Sequence, residues 1–342
     1  MKLFEKFSIK DMTLKNRIVM PPMCMYQASS DAIPTAFHIS HYAARAIGGV
    51  GLIIVESTGV IPEGRISDRD LGIWDDAQIE GLKQVADACH LNGAKIAIQL
   101  NHAGRKSTSL SGGPFAPSAV PFSDEYRMPS ELTREQISEI VSAFQSAASR
   151  AYKAGFDGLE IHAAHGYLIH QFLSPLSNRR TDEYGGSLEN RVRFLKKILE
   201  AVCAVWPKEK PIWLRVSADD YTPGGIDGSM MVQIVNTLGN LVDLVHVSSG
   251  GLLPTGVKDF PGYQVALAEQ IQRECAKPTI AVGLITNAEM GEEILQTGRA
   301  DLVAYGRELL RNPYFAIQAA EKYNVSGYIP EPYERAYPHR KR

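Results

Sequence analysis

The sequence lacks the cysteine spacings that iron–sulfur and zinc sites require. Its four cysteines, at positions 24, 89, 203 and 275, stand far apart, and no CxxC pair occurs. The pattern indicates neither an iron–sulfur site nor a zinc knuckle, and a reduced cytoplasm is the location that we expect.

Long apolar runs and an excess of one charge are also missing. No apolar run approaches the roughly 18 residues of a membrane span, and residues 1–20 alternate charged and apolar side chains without a signal-peptide core. The 36 basic and 38 acidic residues give a net charge of −2, which excludes a generally basic nucleic-acid binder. No GxGxxG follows an apolar run, so a dedicated dinucleotide domain is not expected. We therefore expect neither a membrane nor a nucleic-acid partner.

The chain does contain a regular series of short, β-branched apolar runs separated by amphipathic stretches. Such runs are typical of strands that a parallel sheet buries on both faces. One amphipathic stretch, 133–154, begins with Thr133 as a cap and has Gln136 at its third position. The apolar runs are 17–20, 51–55, 95–100, 158–161, 212–216, 244–247, 279–282 and 301–304, and further helical stretches are 76–92, 188–206, 263–276 and 287–297.

Eight consecutive strand–helix units without a proline- or serine-rich linker favour one closed (β/α)8 TIM barrel over two doubly wound domains. We predict a single α/β domain over 1–342, with a hairpin at 7–15 that plugs the barrel's N-terminal face. Three longer connections, 24–37, 102–132 and 165–187, each follow a strand. They should therefore meet at the C-terminal face, where barrel active sites form.

Two histidines follow the fourth run, in the segment His162-Ala163-Ala164-His165-Gly166-Tyr167. A metal site and two core histidines are the alternatives, but no third ligand such as a nearby glutamate is apparent. We favour an anion or oxyanion site without metal, because two imidazole N–H groups can converge on one carbonyl oxygen. Tyr167, one step further along, can deliver a proton.

Small residues end the last three runs. Gly283 follows the seventh run, and Gly306 with Arg307 follows the eighth, while Ser249 and Gly250 follow the sixth. Backbone N–H groups after the seventh and eighth strands form the recurring phosphate site of these barrels. Glycines also serve ordinary tight turns, but the arginine and the strand positions favour phosphate binding.

Several ordered blocks resemble the Old Yellow Enzyme family of FMN-dependent ene-reductases, specifically its bacterial thermophilic-like subclass. The resemblance covers nearly the whole chain, and so many blocks at matching strand ends are far more specific than any one of them. The blocks are 15–20 (KNRIVM), 22–26 (PMCMY), 99–106 (QLNHAGRK), 162–167 (HAAHGY), 172–175 (FLSP), 178–187 (NRRTDEYGGS), 189–191 (ENR) and 303–307 (VAYGR).

The resemblance implies a noncovalent FMN at the barrel mouth, with NADPH as the electron donor. Residues of the first loops would line the isoalloxazine, others would contact its pyrimidine ring, and the late strand ends would hold the phosphate. For Arg215 the position in the sequence also supports this role, since a cation at the end of the fifth strand can stabilise negative charge on a reduced flavin. The implied cofactor residues are Pro22, Met23, Cys24, Ser57, Gln99, Arg215, Ser249, Gly250, Gly283, Gly306 and Arg307.

The implied reaction is reduction of the C=C bond of enones and enals by ping-pong hydride transfer. The substrate oxygen would lie between His162 and His165, and Tyr167 would protonate the α-carbon. Tyr26 and Lys106 would shape the pocket, although from the residues alone they could be a packing aromatic and a solvated charge. A non-redox phosphate-binding isomerase or lyase, and a flavin-storing protein without turnover, remain alternatives.

The C-terminal segment Tyr333-Glu334-Arg335 is similar to the subclass tail that crosses a subunit interface. The resemblance implies that the tail, 328–342, reaches a neighbouring subunit and places Arg335 in its active site. The expected assembly is a homodimer or homotetramer. A frayed, solvated terminus is the alternative for so charged a segment.

Overall fold

The computed structural model describes residues 1–337, and its centre is a closed barrel of eight parallel strands. The first strand pairs with both the second and the eighth, which closes the sheet. The predicted (β/α)8 barrel is thus confirmed. The strands are β1 (Ile18–Met20), β2 (Leu52–Gly59), β3 (Lys95–Asn101), β4 (Gly158–Ala163), β5 (Ile212–Ser217), β6 (Leu244–Ser248), β7 (Thr279–Ala281) and β8 (Leu302–Ala304).

Helices surround the barrel, and all five predicted helical stretches contain one. The helix after Thr133 begins with the predicted capping box: Thr133 Oγ1 accepts from Gln136 N at 3.2 Å, and Gln136 Oε1 accepts from Thr133 N at 2.9 Å. The helices are α1 (Ala36–Ile47), α2 (Ile79–Leu91), α3 (Arg134–Lys153), α4 (Leu168–Leu173), α5 (Leu188–Cys203), α6 (Gly228–Leu238), α7 (Val265–Cys275), α8 (Ala288–Gln296), α9 (Gly306–Arg311) and α10 (Phe315–Lys322). Within residues 1–337, no helix combines the length and the apolar character needed to cross a membrane.

The strands are buried on both faces, and each face packs against a different core. Side chains that point outwards, such as Ile53 and Ile98, pack beneath the helices. Those that point inwards, such as Ile54 and Trp213, form a separate cluster inside the barrel. This arrangement explains why the strand runs are almost continuously apolar rather than alternating.

The predicted hairpin is present as the antiparallel strands Phe7–Ile9 and Met12–Leu14. Met12 and Leu14 are 4% and 0% exposed, and both belong to the cluster inside the barrel. Their side chains therefore form a floor at the N-terminal face. Ligands can reach the interior only from the opposite end, where the three long connections meet.

Replacing Leu14 by alanine should lower the free energy of unfolding by about 2–5 kcal/mol, because it opens a cavity in a packed floor. Urea unfolding followed by circular dichroism measures the loss. Thr13→Ala, at the exposed position next to it, is the matched control. Equal losses in the two variants would contradict the assignment of the hairpin to the barrel floor.

Candidate active site

A cavity of about 350 Å3 opens at the C-terminal face, between the loop after β1 and the ends of β5 to β8. Six of the predicted cofactor residues lie around it, although they are scattered through most of the chain. They are Pro22, Met23, Arg215, Gly283, Gly306 and Arg307.

One end of this cavity suits a phosphate group. Gly283 has a backbone φ of +118°, and a Cβ there would come within 2.8 Å of Gln264 Oε1. Only glycine, which has no Cβ, leaves space for a bound group at this end of the cavity, which we call the phosphate cradle. Arg307 and Arg311 both line the cavity, so two arginines stand beside this phosphate cradle, although Arg311 Nη2 also bonds to Glu308 Oε2 at 2.8 Å. The sequence interpretation had Arg307 but missed Arg311, whose position inside α9 gives no local signal.

Arg215 brings a buried cation to the other end of the cavity. It is 8% exposed, and within the described residues its one side-chain hydrogen bond joins Nη1 to the carbonyl oxygen of Pro22 at 3.4 Å. Its buried Nε has no partner among residues 1–337, and burial lowers the pKa of the guanidinium. Unpaired buried donors are costly unless a bound group accepts from them. A flavin ring, whose pyrimidine edge carries carbonyl and nitrogen acceptors, fits this requirement.

The two histidines lie side by side where β4 ends, with ring centroids 5.2 Å apart. Nδ1 of His162 accepts from Ala164 N at 3.2 Å, so Nε2 carries the hydrogen. Nε2 of His165 lies 2.8 Å from the hydroxyl of Ser248, which can donate to it and leave Nδ1 protonated. His165 itself has a φ of +56°, a left-handed conformation that the surrounding loops hold.

Both imidazoles are neutral at neutral pH. Burial, followed by the nearby charge of Arg215, holds the pKa of His162 and of His165 well below 6.5. They therefore act as hydrogen-bond donors without carrying charge. Within residues 1–337, no group of three or more His, Cys, Asp or Glu side chains could hold a metal ion.

Tyr167 stands against this pair, with its ring 4.9 Å from that of His162 in an edge-to-face arrangement. Burial, then the neighbouring Cys24 and Tyr26, raise the pKa of its phenol well above 10. The hydroxyl therefore keeps its proton at physiological pH. An acid and two neutral donors thus meet in one place.

Lys106 ties three loops together at the mouth. Its Nζ donates to the carbonyl oxygens of His165 at 3.0 Å and of Gly251 at 3.2 Å, and lies 4.4 Å from the ring centroid of Phe122. Burial lowers its pKa to about 8. Lys106 is therefore packed among the loops beside His165 and is not a solvated surface charge.

The loop after β1 carries Cys24 and Tyr26. Burial, then the carboxylates of Asp70 and Glu56, raise the pKa of the Cys24 thiol, which therefore stays protonated. Tyr26 is 41% exposed, and burial of its remaining surface raises its pKa to about 12. The hydroxyl of Ser57 accepts from Asn101 Nδ2 at 2.8 Å, so its side chain is already engaged within the protein.

Five of the predicted cofactor residues are not among those that line this cavity: Cys24, Ser57, Gln99, Ser249 and Gly250. The hydroxyl of Ser249 bonds to Tyr221 at 2.9 Å, and the N–H of Gly250 donates to the carbonyl of Asp219 at 2.8 Å. The preceding residue, Ser248, lines the cavity instead.

Arg335 lies in a short 3₁₀ helix, Glu331–Ala336, and is exposed. Within residues 1–337 its side chain forms no hydrogen bond or ion pair. The tail is anchored further back, where Tyr328 Oη donates to the carbonyl of Lys15 at 2.9 Å. The final five positions of the predicted tail, 338–342, lie outside the described residues.

Comparison with known proteins gives one family and close relatives. Residues 2–325 match the model of the NADH:flavin oxidoreductase / NADH oxidase family. An NADPH dehydrogenase of Clostridium acetobutylicum is 60% identical over 98% of this chain and 100% of its own length, and one of Bacillus subtilis is 53% identical over 98% and 99%. The solved structure of an old yellow enzyme homologue from Zymomonas mobilis superposes with a TM-score of 0.82 at 32% identity, over 94% of this chain and 93% of that one.

The buried histidines predict how stability depends on pH. His102 is 1% exposed, its Nδ1 accepts from Gly104 N at 3.0 Å, and burial lowers its pKa to about 3. Below about pH 6.5 the His102 imidazole binds a proton in the unfolded chain but not in the folded protein. The free energy of unfolding therefore falls as the pH drops below that value. His102→Asn keeps an acceptor for Gly104 and removes this titration.

In this variant, the difference in unfolding free energy between pH 7 and pH 5 should shrink by about 2 kcal/mol. Urea unfolding at the two pH values, compared with the wild type, measures it. An unchanged difference would mean that the His102 ring takes up a proton in the folded state.

Proposed function

Because this chain belongs to the NADH:flavin oxidoreductase / NADH oxidase family, we propose that it reduces the C=C bond of α,β-unsaturated carbonyl compounds. This family is the Old Yellow Enzyme family that its sequence motifs resemble. Membership of the family makes it a flavin-dependent oxidoreductase that uses FMN, with NADPH as its electron donor. The non-redox isomerase or lyase and the flavin-storing protein are thereby excluded. We propose specifically that its substrates are enones and enals and that NADPH and the alkene bind in turn, in a ping-pong order.

The residues at the mouth would hold FMN in a defined way. Arg307 and Gly283 would bind its phosphate, and Arg215 would donate to the pyrimidine edge of its ring. Cys24, in the loop after β1, would offer a thiol hydrogen bond near the reactive edge. Held by these residues, FMN would supply hydride transfer between NADPH and the β-carbon of the substrate.

His162 and His165 would bind the carbonyl oxygen of the substrate. Negative charge develops on this oxygen when the β-carbon is reduced, and preorganised donors stabilise that charge. Removing one such donor commonly costs about 3 kcal/mol. The observation that carries the proposal is this pair of adjacent, neutral imidazoles, with a buried phenol packed against one of them.

Tyr167 would then protonate the α-carbon. Its raised pKa keeps the proton on the phenol until negative charge forms beside it. Lys106, with Nζ 5.4 Å from the centroid of the Tyr167 ring, adds a nearby positive charge. Tyr26 would cover the substrate from the loop after β1.

The Tyr167→Phe variant tests this assignment. Anaerobic titration with NADPH, followed by cyclohexenone, separates the two half-reactions by the absorbance of the flavin. Flavin reduction should stay near the wild-type rate, whereas reoxidation by the alkene should slow by about 100-fold or more, because only this step needs the proton. Equal slowing of both steps would remove Tyr167 from the role of donor.

Wild-type protein is the reference for the proposed activity as a whole. A flavin that NADPH bleaches and cyclohexenone does not restore would show that another acceptor is the substrate. Tyr152→Phe, which alters an exposed tyrosine on α3, controls for effects of the substitution itself.

The tail from residue 328 would complete the site of a neighbouring subunit in a homodimer or homotetramer. Arg335 is exposed beyond the anchor at Tyr328, where a partner can receive it. Tyr333 and Tyr314 are 40% and 38% exposed, with ring centroids 6.4 Å apart. Tyrosine and arginine are the side chains that most often anchor protein interfaces.

Subunit mixing tests the tail. Tyr167→Phe subunits and Arg335→Ala subunits, each impaired alone, should regain part of the wild-type activity when mixed and allowed to exchange. Recovery is expected because some sites then combine an intact Tyr167 with a partner's intact Arg335. A monomer in sedimentation, together with wild-type activity of Arg335→Ala, would refute completion between subunits.

A further inference from the structure

A buried carboxylate, Glu160, lies inside the barrel one layer below the histidine pair. It precedes His162 by two positions on β4, so both side chains point to the barrel interior. Glu160 is 0% exposed and is surrounded by donors from three other strands. Oε1 accepts from Gln99 Nε2 at 2.7 Å, and Oε2 accepts from Trp213 Nε1 at 2.6 Å and from His246 Nδ1 at 2.7 Å.

This network fixes the orientation of the Gln99 amide. An ionised carboxylate can only accept hydrogen bonds, so Gln99 must turn its NH2 group towards Glu160. Its carbonyl Oε1 is then left over, and it has no hydrogen-bond partner among residues 1–337. Gln99 therefore offers an acceptor to whatever binds above it. The pyrimidine ring of oxidised FMN carries an N–H donor that such an acceptor matches.

The same carboxylate also acts on Arg215 through its charge. Burial lowers the pKa of Arg215, and Glu160 is the first group that opposes this effect. Arg215 has no carboxylate within hydrogen-bond distance among the described residues, so Glu160 offsets its charge from a distance. The positive potential at the cavity is accordingly smaller than a lone buried guanidinium would create.

We propose that Glu160 is a positioning residue for the flavin: it holds Gln99 with its carbonyl towards the cofactor and moderates the positive charge of Arg215. The inference rests on the placement of FMN given above. It concerns cofactor affinity and reduction potential, so its test needs neither an alkene nor turnover.

Glu160→Gln separates this role from simple packing, because it keeps the shape and removes the charge. Trp213 Nε1 can only donate, so the amide oxygen of the new side chain must take the position of Oε2. The new NH2 group must then face Gln99, which has to accept and so turns its own NH2 group to the mouth. A donor would then meet the N–H of the flavin ring.

Two measured quantities should change in Glu160→Gln: the affinity for FMN and the midpoint potential of the bound flavin. The dissociation constant of FMN, measured by flavin fluorescence on the reconstituted protein, should rise about tenfold or more, as expected for a lost and opposed hydrogen bond. The midpoint potential of the bound flavin should rise, because a negative charge is lost near a ring that becomes more negative on reduction. Wild-type values for both would overturn the proposal, as would weaker binding with an unchanged potential.

A compensating variant gives an independent outcome. In Gln99→Glu with Glu160→Gln, the residue at position 99 accepts both from position 160 and from the flavin, and the total charge of the network is kept. This double variant should bind FMN more tightly than Glu160→Gln alone, whereas a merely structural role predicts further loss. Gln99→Met, which leaves Glu160 in place, should weaken FMN binding without raising the potential.

The matched control is Asp157→Asn. Asp157 is a half-buried carboxylate that accepts from Lys95 Nζ at 2.9 Å, at the end of the barrel away from the mouth. It should leave both FMN readouts at their wild-type values, and a potential shift as large as that of Glu160→Gln would overturn the local role of Glu160. A wild type that binds FMN but reduces no enone would overturn the proposed function alone.

Discussion

Closure of the barrel through β1 is the interaction on which the remaining structure depends. This strand is only three residues long, yet it pairs with β2 on one side and with β8 on the other. Closure removes both sheet edges and places the ends of eight strands around one opening. Residues that lie hundreds of positions apart, such as Pro22 and Arg307, become neighbours for this reason alone.

The interior divides into two layers of different chemistry. Near the hairpin it is packed with apolar side chains, and the buried polar groups from Glu160 upwards to Arg215 and the histidines lie above them. The polar side chains of both layers are buried, so each needs a partner in the protein or in a ligand. Both oxygens of Glu160 are paired with neighbouring side chains, whereas Arg215, nearer the mouth, has an Nε without a partner among residues 1–337. This difference between the two layers favours binding of a ligand at the mouth of the barrel.

Sequence alone predicted the strands, the capped helix α3, the hairpin and the grouping of His162 with Tyr167, because these depend on local periodicity and on short spacings. It also predicted much of the cavity lining, through motifs that recur at strand ends. It could not predict Arg311 or the engagement of Ser249 with Tyr221, since these depend on register and loop packing. The role of Glu160 was equally hidden, because its three partners come from three different strands.

The crossing of two loops beside His165 has a consequence for how the protein is made. Gly166 lies so close to Gly251 that a Cβ on it would meet the Gly251 carbonyl oxygen at 2.3 Å, and Lys106 bonds to both loops. The left-handed backbone of His165 lies against this later loop and is also held by a hydrogen bond from His165 N to Ser217 Oγ at 2.9 Å. A nascent chain that has left the ribosome as far as β5 therefore lacks Ser248, which pairs with the His165 ring, and the Gly251 loop beside it. The binding geometry is completed only when the second half of the barrel docks, so catalysis cannot begin on a half-made protein.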